Sequence, residues 1–137
     1  MDEPNLKQAV PFFMVTDMAA SLSFYVDGLG FRKTLEWVDD GALRWCWLQQ
    51  EGVALMLQAW RPDRRPEGPL GKGVSVCVMC ADALRFRRET RARGVEAVRQ
   101  PFVGNGLWVV QYVDPDGYRL DFESPTDAPE ESIWETD

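Results

Sequence analysis

Stretches in which apolar and polar residues alternate recur along the chain and are separated by breaks containing glycine or aspartate. Alternate side chains of a strand point to opposite faces, so this pattern predicts half-buried β-strands. In the first half of the chain the predicted strands are residues 9–16, 32–38, 43–49 and 53–59. Between the first two, Leu22, Tyr25 and Val26 have the spacing of one helix face, and Asp17 is suited to be the N-cap. Asp40-Gly41 predicts a tight hairpin turn.

The second half of the chain shows the same order of patterns. It predicts strands at 74–80, near 96–99, at 107–113 and at 118–123, with a helix from residue 82 to about residue 93. The segment Asp114-Pro115-Asp116-Gly117 has the residue preferences of a β-turn between the last two strands.

Several landmarks recur at an almost constant spacing. Asp17 and Asp82 lie 65 residues apart, as do Gly52 and Gly117. Such a repeat indicates two copies of one βαβββ unit. We therefore predict module one at about residues 5–61, a linker at 62–73, module two at about 74–124 and an acidic tail at 125–137. The tail is expected to be mobile unless Ile133 and Trp134 anchor it.

The composition of the chain excludes several classes of function. The chain has 137 residues, 45% hydrophobic and 27% charged, which is typical of one globular domain. Its net charge of −7 argues against nucleic-acid binding, which depends on Lys and Arg. The sequence contains no long apolar run and does not begin like a secretory signal, so we expect a cytoplasmic protein without a membrane span. Three cysteines do not suggest a disulfide framework.

Histidine is absent from the sequence. This excludes Ser-His-Asp and Cys-His catalysis, together with every metal site built on imidazole. Whatever the protein does, it does without the commonest catalytic side chain at neutral pH.

Certain motifs resemble the vicinal oxygen chelate superfamily, which includes glyoxalase I, extradiol dioxygenases and the fosfomycin- and bleomycin-resistance proteins. The similar segments are Val15-Thr16-Asp17, Ser23-Phe24-Tyr25, Leu29-Gly30-Phe31 and the run from Asp114 to Asp121. The resemblance implies an α+β fold in which two tandem βαβββ modules form a concave mixed sheet, and it implies a homodimer. It does not define a function, because many chemistries occur on this scaffold.

In metal-dependent members, the resemblance implies four ligand positions on the concave sheet. In this sequence they fall on Val10, Met56, Ser75 and Asp121. One carboxylate and one hydroxyl are too few for a catalytic divalent ion. We therefore predict no metal and no cofactor.

Aromatic residues provide another use for the cleft. Strand alternation places Phe12 and Met14 toward it, with Trp45 and Trp47 sharing one face of their strand. The candidate ligand-binding residues are Trp37, Trp45, Trp47, Trp60, Phe102, Trp108, Asp121 and Glu123. The tryptophans would stack on planar groups, while the carboxylates would meet a cation. The alternatives are that the tryptophans fill the core and a dimer contact, and that Asp121 is an exposed or salt-bridged carboxylate.

The predicted function is metal-independent binding of a small aromatic or cationic molecule. A specific form of this function is the sequestration of a cationic antibiotic, as in the bleomycin-resistance proteins. Bleomycin-resistance proteins are similar at Ala9-Val10-Pro11, Asp39-Asp40 and Asp114-Pro115, whereas Gly104-Asn105-Gly106-Leu107 departs from their pattern. One alternative is a metal-free lyase or isomerase that uses Asp121, Glu123, Tyr112 or Tyr118 as acid or base. Another is an interaction module whose cleft is filled by its own tryptophan side chains or by the tail around Trp134.

Overall fold

The computed structural model describes residues 3–135 and contains two four-stranded mixed sheets. The first sheet has the order β1-β4-β3-β2. Its strands are β1 (Phe12–Val15), β2 (Arg32–Asp39), β3 (Ala42–Gln50) and β4 (Val53–Ala59). β1 runs parallel to β4, and the other two pairs are antiparallel.

The second sheet repeats this arrangement with the order β5-β8-β7-β6. Its strands are β5 (Ser75–Met79), β6 (Phe102–Gly104), β7 (Leu107–Val113) and β8 (Arg119–Pro125). β5 is parallel to β8, in the same way that β1 is parallel to β4. The predicted α+β fold of two βαβββ modules is thereby confirmed.

Each module has one helical segment between its first two strands. α1 (Met18–Leu22) begins at Asp17, whose side chain accepts a hydrogen bond from the Ala20 N–H, and it continues as a π-helix over Ser23–Gly28. α2 (Ala83–Ala92) begins at Asp82 in the same manner. The predicted N-cap at Asp17 is confirmed, and Asp82 caps the second helix at the residue where that helix was predicted to begin. Among the described residues, no helix has the length and apolarity needed to cross a membrane.

Two predicted strand positions are wrong. Residues 9–11 lie outside β1, which begins only at Phe12. Residues 96–99 form no strand, because the Val98 N–H donates a single hydrogen bond to the Gln111 carbonyl and no ladder follows. The edge strand of the second sheet is instead β6, where Phe102 is paired with Val109.

The acidic tail packs on β6 as far as the structure describes it. Ile133 forms an isolated bridge with Phe102, and the ring of Trp134 contacts that of Trp108 edge-on, with centroids 5.5 Å apart. The Val103 N–H donates to the Ser132 carbonyl. The anchored form of the tail is therefore the one observed, up to residue 135.

The core is shared by both modules and is rich in aromatic rings. Phe86 stacks on Phe122 with centroids 4.0 Å apart, and Phe13 stacks on Tyr118 at 4.3 Å. Val78, Leu120 and Phe122 belong to one cluster with Phe13, Val15, Leu55 and Leu57. Burial of this shared apolar surface is what holds the two sheets together.

Buried polar contacts also join the modules. The Tyr25 hydroxyl donates to Asp114 Oδ2 at 2.7 Å. Asp116 accepts hydrogen bonds from the backbone N–H and the hydroxyl of Thr16. The predicted turn between β7 and β8 therefore also positions the start of α1.

Gly28→Ala is expected to lower the free energy of unfolding by about 1–3 kcal/mol, the usual cost of overpacking. A Cβ at Gly28 would lie 2.3 Å from Val95 Cγ2, and Val95 cannot move its methyl groups freely. Urea denaturation measures the change. Gly52→Ala is the control, since a Cβ there meets open space. In the double variant Gly28→Ala/Val95→Ala the smaller side chain at residue 95 should relieve the clash, so the loss of stability should be less than the sum of the two single losses. Additive losses would contradict this explanation.

Candidate ligand-binding site

The first sheet has one face that does not contribute to the core. We call it the open face of the first sheet. Cys46, Leu48, Leu55 and Leu57 are buried on the opposite face, so the alternating neighbours of these residues point outward. The open face consists of Phe12, Met14, Leu35, Trp37, Trp45, Trp47, Met56 and Gln58.

Strand register arranges these side chains in two rows across the sheet. In one row, Trp45 is paired with Trp37 on one side and with Gln58 on the other. In the other, Trp47 lies between Leu35 and Met56. A face with this much aromatic and apolar surface is suited to stacking against a planar molecule.

The tryptophans of this face are available to a ligand. Among the described residues, Trp37, Trp45, Trp47 and Trp60 make no ring–ring contact, whereas the core rings are stacked on one another. Trp37 is 48% exposed. Of these four indoles, only that of Trp47 donates a hydrogen bond to a residue of the described range 3–135, from Nε1 to Gln49 Oε1 at 2.9 Å.

Trp60 extends the open face beyond the end of β4. Its backbone N–H donates to the Val15 carbonyl, which continues the pairing of β1 with β4. A cavity of about 250 Å³ is lined by Met14, Trp37, Gln58 and Trp60 and also by arginines. The aromatic face therefore ends in a cavity with positive charge.

The predicted carboxylates lie on the outward face of the second sheet. We call it the open face of the second sheet; its central strand β8 carries Arg119, Asp121 and Glu123. Asp121 is only 4% exposed, and its Oδ2 lies 3.2 Å from Arg119 Nη2. Its Oδ1 is buried and has no hydrogen-bond partner among the described residues. Asp121 thus forms a salt bridge with Arg119 of its own strand and keeps its other carboxylate oxygen without a described partner.

Cys77 lies beside these carboxylates on β5. Its Sγ is 3.1 Å from Glu123 Oε2, and this hydrogen bond, aided by burial, raises the pKa of the Cys77 thiol to about 11. The thiol is therefore protonated at neutral pH and is a poor nucleophile.

The four positions implied for a metal do not form a ligand set. Met56 is paired with Phe12, and Ser75 is paired with Arg119 rather than with Asp121. Val10 precedes β1 and offers no donor atom. Asp121 is the single carboxylate among the four.

A different trio, Cys77, Asp121 and Glu123, has one donor atom each within 4.8 Å of the others. The protonated thiol and the guanidinium of Arg119 both disfavour a divalent cation there.

Two other candidate residues, Phe102 and Trp108, differ in position. Phe102 is paired with Val109, which in turn is paired with Glu123, so it lies on the open face of the second sheet. The Arg99 guanidinium lies 4.2 Å from the centre of its ring. Trp108 is on the opposite face of β7, against Trp134. Within one chain, the candidate tryptophans therefore lie on the first sheet or at its end, and Phe102 and the candidate carboxylates lie on the second sheet. Trp108 belongs to neither group.

The two tyrosines considered as acid or base are engaged elsewhere. The Tyr112 hydroxyl lies 2.6 Å from Thr90 Oγ1 in the core, and burial raises its pKa to about 12. The Tyr118 hydroxyl donates to the Met14 carbonyl, and its ring stacks on Phe13. Both hydroxyls serve the fold.

Sequence reasoning missed five residues of the site: Leu35, Arg44, Gln58, Arg61 and Arg64. Leu35 could have been found from its spacing of two residues from Trp37. Arg61 and Arg64 were hidden because the region around them was interpreted only as a linker.

Comparison with protein families gives a match to the Glyoxalase/Bleomycin resistance protein/Dioxygenase superfamily over residues 7–122. The chain belongs to this superfamily. The match includes both sheets up to Phe122 of β8. None of the curated proteins compared with this sequence matches it.

Several solved structures of the superfamily fold are similar to this one. The antibiotic binding protein TnmS3 from Streptomyces sp. CB03234 is 20% identical over 90% of this chain and all of its own, with a TM-score of 0.68. A bleomycin-binding protein complexed with bleomycin is 24% identical over 88% of this chain and all of its own, with a TM-score of 0.67. A glyoxalase/bleomycin resistance protein from Catenulispora acidiphila is 26% identical over 86% of this chain and all of its own, with a TM-score of 0.62.

Proposed function

We propose that this protein binds a small aromatic molecule on the open face of the first sheet, without a metal, and sequesters it as drug-binding members of the superfamily do. The observation that supports this most directly is the set of tryptophans on that face, none of which stacks on another ring of the described chain. Exposed aromatic clusters of this kind are characteristic of binding surfaces.

Stacking is the physical basis of the proposed binding. An aromatic ring placed on Trp45 and Trp47 buries apolar surface on both partners, at about 25 cal/mol per Å². Preferred ring geometry adds about 0.5–1.5 kcal/mol per aromatic pair. Planar rings are therefore favoured over flexible chains of equal size.

We also propose that the protein acts as a homodimer. All eight residues of the edge strand β2 are exposed, including Leu35, Trp37 and Val38. A second copy that laid its second sheet over this region would bring Asp121 and Glu123 opposite the tryptophans. One subunit would then supply the aromatic wall and the other the carboxylates for a cationic part of the ligand.

The similar solved structures favour an antibiotic as the ligand. TnmS3 is an antibiotic binding protein, and another neighbour is a bleomycin resistance determinant encoded on the transposon Tn5. The net charge of −7 would attract a cationic drug over long distances. Bleomycin-like sequestration is thus the specific form of the proposal.

Calorimetric titration with metal-free bleomycin tests this specific form. We expect saturable binding of one drug per subunit, weakened by salt because part of the attraction is electrostatic. Sedimentation velocity of the free protein should give a dimer. Absence of heat with bleomycin, in a preparation that is folded and dimeric, would discard bleomycin as the ligand. A monomer that still binds the drug would refute the two-subunit site.

A further inference from the structure

The cavity at the end of the open face of the first sheet joins tryptophans to three arginines. Its volume is about 250 Å³, and its lining includes Trp37, Trp60, Arg44, Arg61 and Arg64. Arg61 is the N-cap of a 3-10 turn that follows β4, and Arg64 is the last residue of that turn. Arg44 lies on β3 where the register with β2 shifts. Two separate stretches of the chain thus bring positive charge to one aromatic cavity.

These arginines are not neutralised by the protein. The side chains of Arg44, Arg61 and Arg64 form no ion pair or hydrogen bond with any residue between 3 and 135. No acidic side chain of the described residues lines the cavity, although acidic residues outnumber basic ones by 22 to 15 in the whole sequence. Three unpaired guanidinium groups in so acidic a protein point to an anionic partner, because the guanidinium fork matches a carboxylate.

Trp60 provides a further donor at the same place. Its indole Nε1 is buried and finds no acceptor in the described part of the chain. A buried donor without a partner destabilises the folded protein, so an acceptor group of a ligand would relieve that cost. The exposed ring of Trp37 supplies a surface for the ligand's own ring.

We propose that this cavity binds the carboxylate of a planar aromatic acid, with the ring lying on the tryptophans and the anionic group held by the arginines and by Trp60. This inference rests on the proposed function, since the ring occupies the same open face. It adds the requirement that the ligand carries a negative charge, whereas the carboxylates of the second sheet favour a positive one. A ligand with both charges would place its anionic end in the cavity and its cationic end near Asp121.

Paired probes that differ only in charge test the proposal. Calorimetry on the full chain would compare 2-naphthoate with the neutral 2-naphthamide, and we expect the carboxylate to bind about tenfold more tightly. In the R61Q/R64Q variant this preference should disappear while naphthamide affinity stays the same. Both substituted residues are exposed, so the fold is preserved. The R32Q/R88Q variant has the same net charge but is altered outside the cavity lining, and it should keep the preference.

A second readout locates the carboxylate. The indole N–H resonance of Trp60 should move downfield with naphthoate but not with naphthamide, because only the carboxylate is a strong acceptor there. Equal affinity for the two probes would overturn the inference and leave the aromatic function in place. The inference would also be overturned if R32Q/R88Q lost the preference for naphthoate to the same extent as R61Q/R64Q, since the net charge alone would then explain that preference. If neither naphthalene probe nor bleomycin binds, the proposed function fails and the inference fails with it.

Discussion

Asp114→Ala is expected to lower the free energy of unfolding by about 3 kcal/mol or more, because several buried donors lose their acceptor at once. Asp114 is 4% exposed and accepts hydrogen bonds from the Tyr25 hydroxyl and from the backbone N–H groups of Asp116 and Tyr118. The first of these joins the two modules, and the other two hold the turn between β7 and β8. Loss of the carboxylate therefore weakens both the turn and its contact with the first module.

Urea denaturation followed by far-UV circular dichroism measures this loss. Asp114→Asn keeps an amide oxygen for the two backbone donors and should cost less than the alanine variant. Tyr25→Phe removes only the contact between modules and should also cost less. If all three variants unfold at the same urea concentration as the parent, Asp114 does not have the structural role assigned to it.

The same carboxylate predicts a pH dependence. Burial raises the pKa of Asp114 above its ordinary value, although its hydrogen bonds act in the opposite direction. The folded state then holds the proton more tightly than the unfolded chain, whose Asp pKa is about 3.9, so this contribution to stability falls as the pH rises through the folded-state pKa. The stability of the parent relative to Asp114→Asn should therefore be higher near pH 4 than near pH 7. A relative stability that rises over this range would contradict the direction of the shift.

The fold could be predicted from the sequence where local signals agreed. In the first module, alternation and the Asp40-Gly41 turn gave three strands within about one residue of β2, β3 and β4. Near residues 96–99 a short strand was predicted, but pairing with β7 is made by Phe102 and the two residues after it. Which segment pairs with an edge strand depends on tertiary contacts, including the tail at Ile133, that a local pattern does not contain.

The candidate site shows the same division. The i, i+2 spacing of Trp45 and Trp47 correctly placed them on one face, away from the core. That Asp121 lies on a different sheet, and that Trp108 faces Trp134, follows from the assembly of two modules. Spacing within one strand carries no information about another sheet. The charge of the cavity was also hidden, since Arg44 is distant in sequence from Arg61 and Arg64.

The double variant W45A/W47A is expected to weaken binding of metal-free bleomycin or 2-naphthamide by about a hundredfold. Truncation of a tryptophan at the centre of a binding surface typically reduces the binding free energy by about 2 kcal/mol or more. Both rings lie on β3, an inner strand of the first sheet. Trp45 lies between Trp37 of β2 and Gln58 of β4, and Trp47 lies between Leu35 of β2 and Met56 of β4. Their removal leaves a ligand ring without its main stacking surface. Calorimetry gives the affinity directly and is unaffected by the loss of tryptophan fluorescence.

Matched variants separate stacking from general damage. W45F/W47F keeps aromatic rings at both positions and should retain most of the affinity. W108F/W134F alters two tryptophans that contact each other on the opposite face of β7, and it should bind like the parent. Since Trp45 and Trp47 are only half-buried, W45A/W47A should remain folded, as far-UV circular dichroism would show. Unchanged binding in a folded W45A/W47A protein would place the ligand elsewhere, and the groove between β1 and β5 would then become the site to test, because its lining is almost entirely apolar.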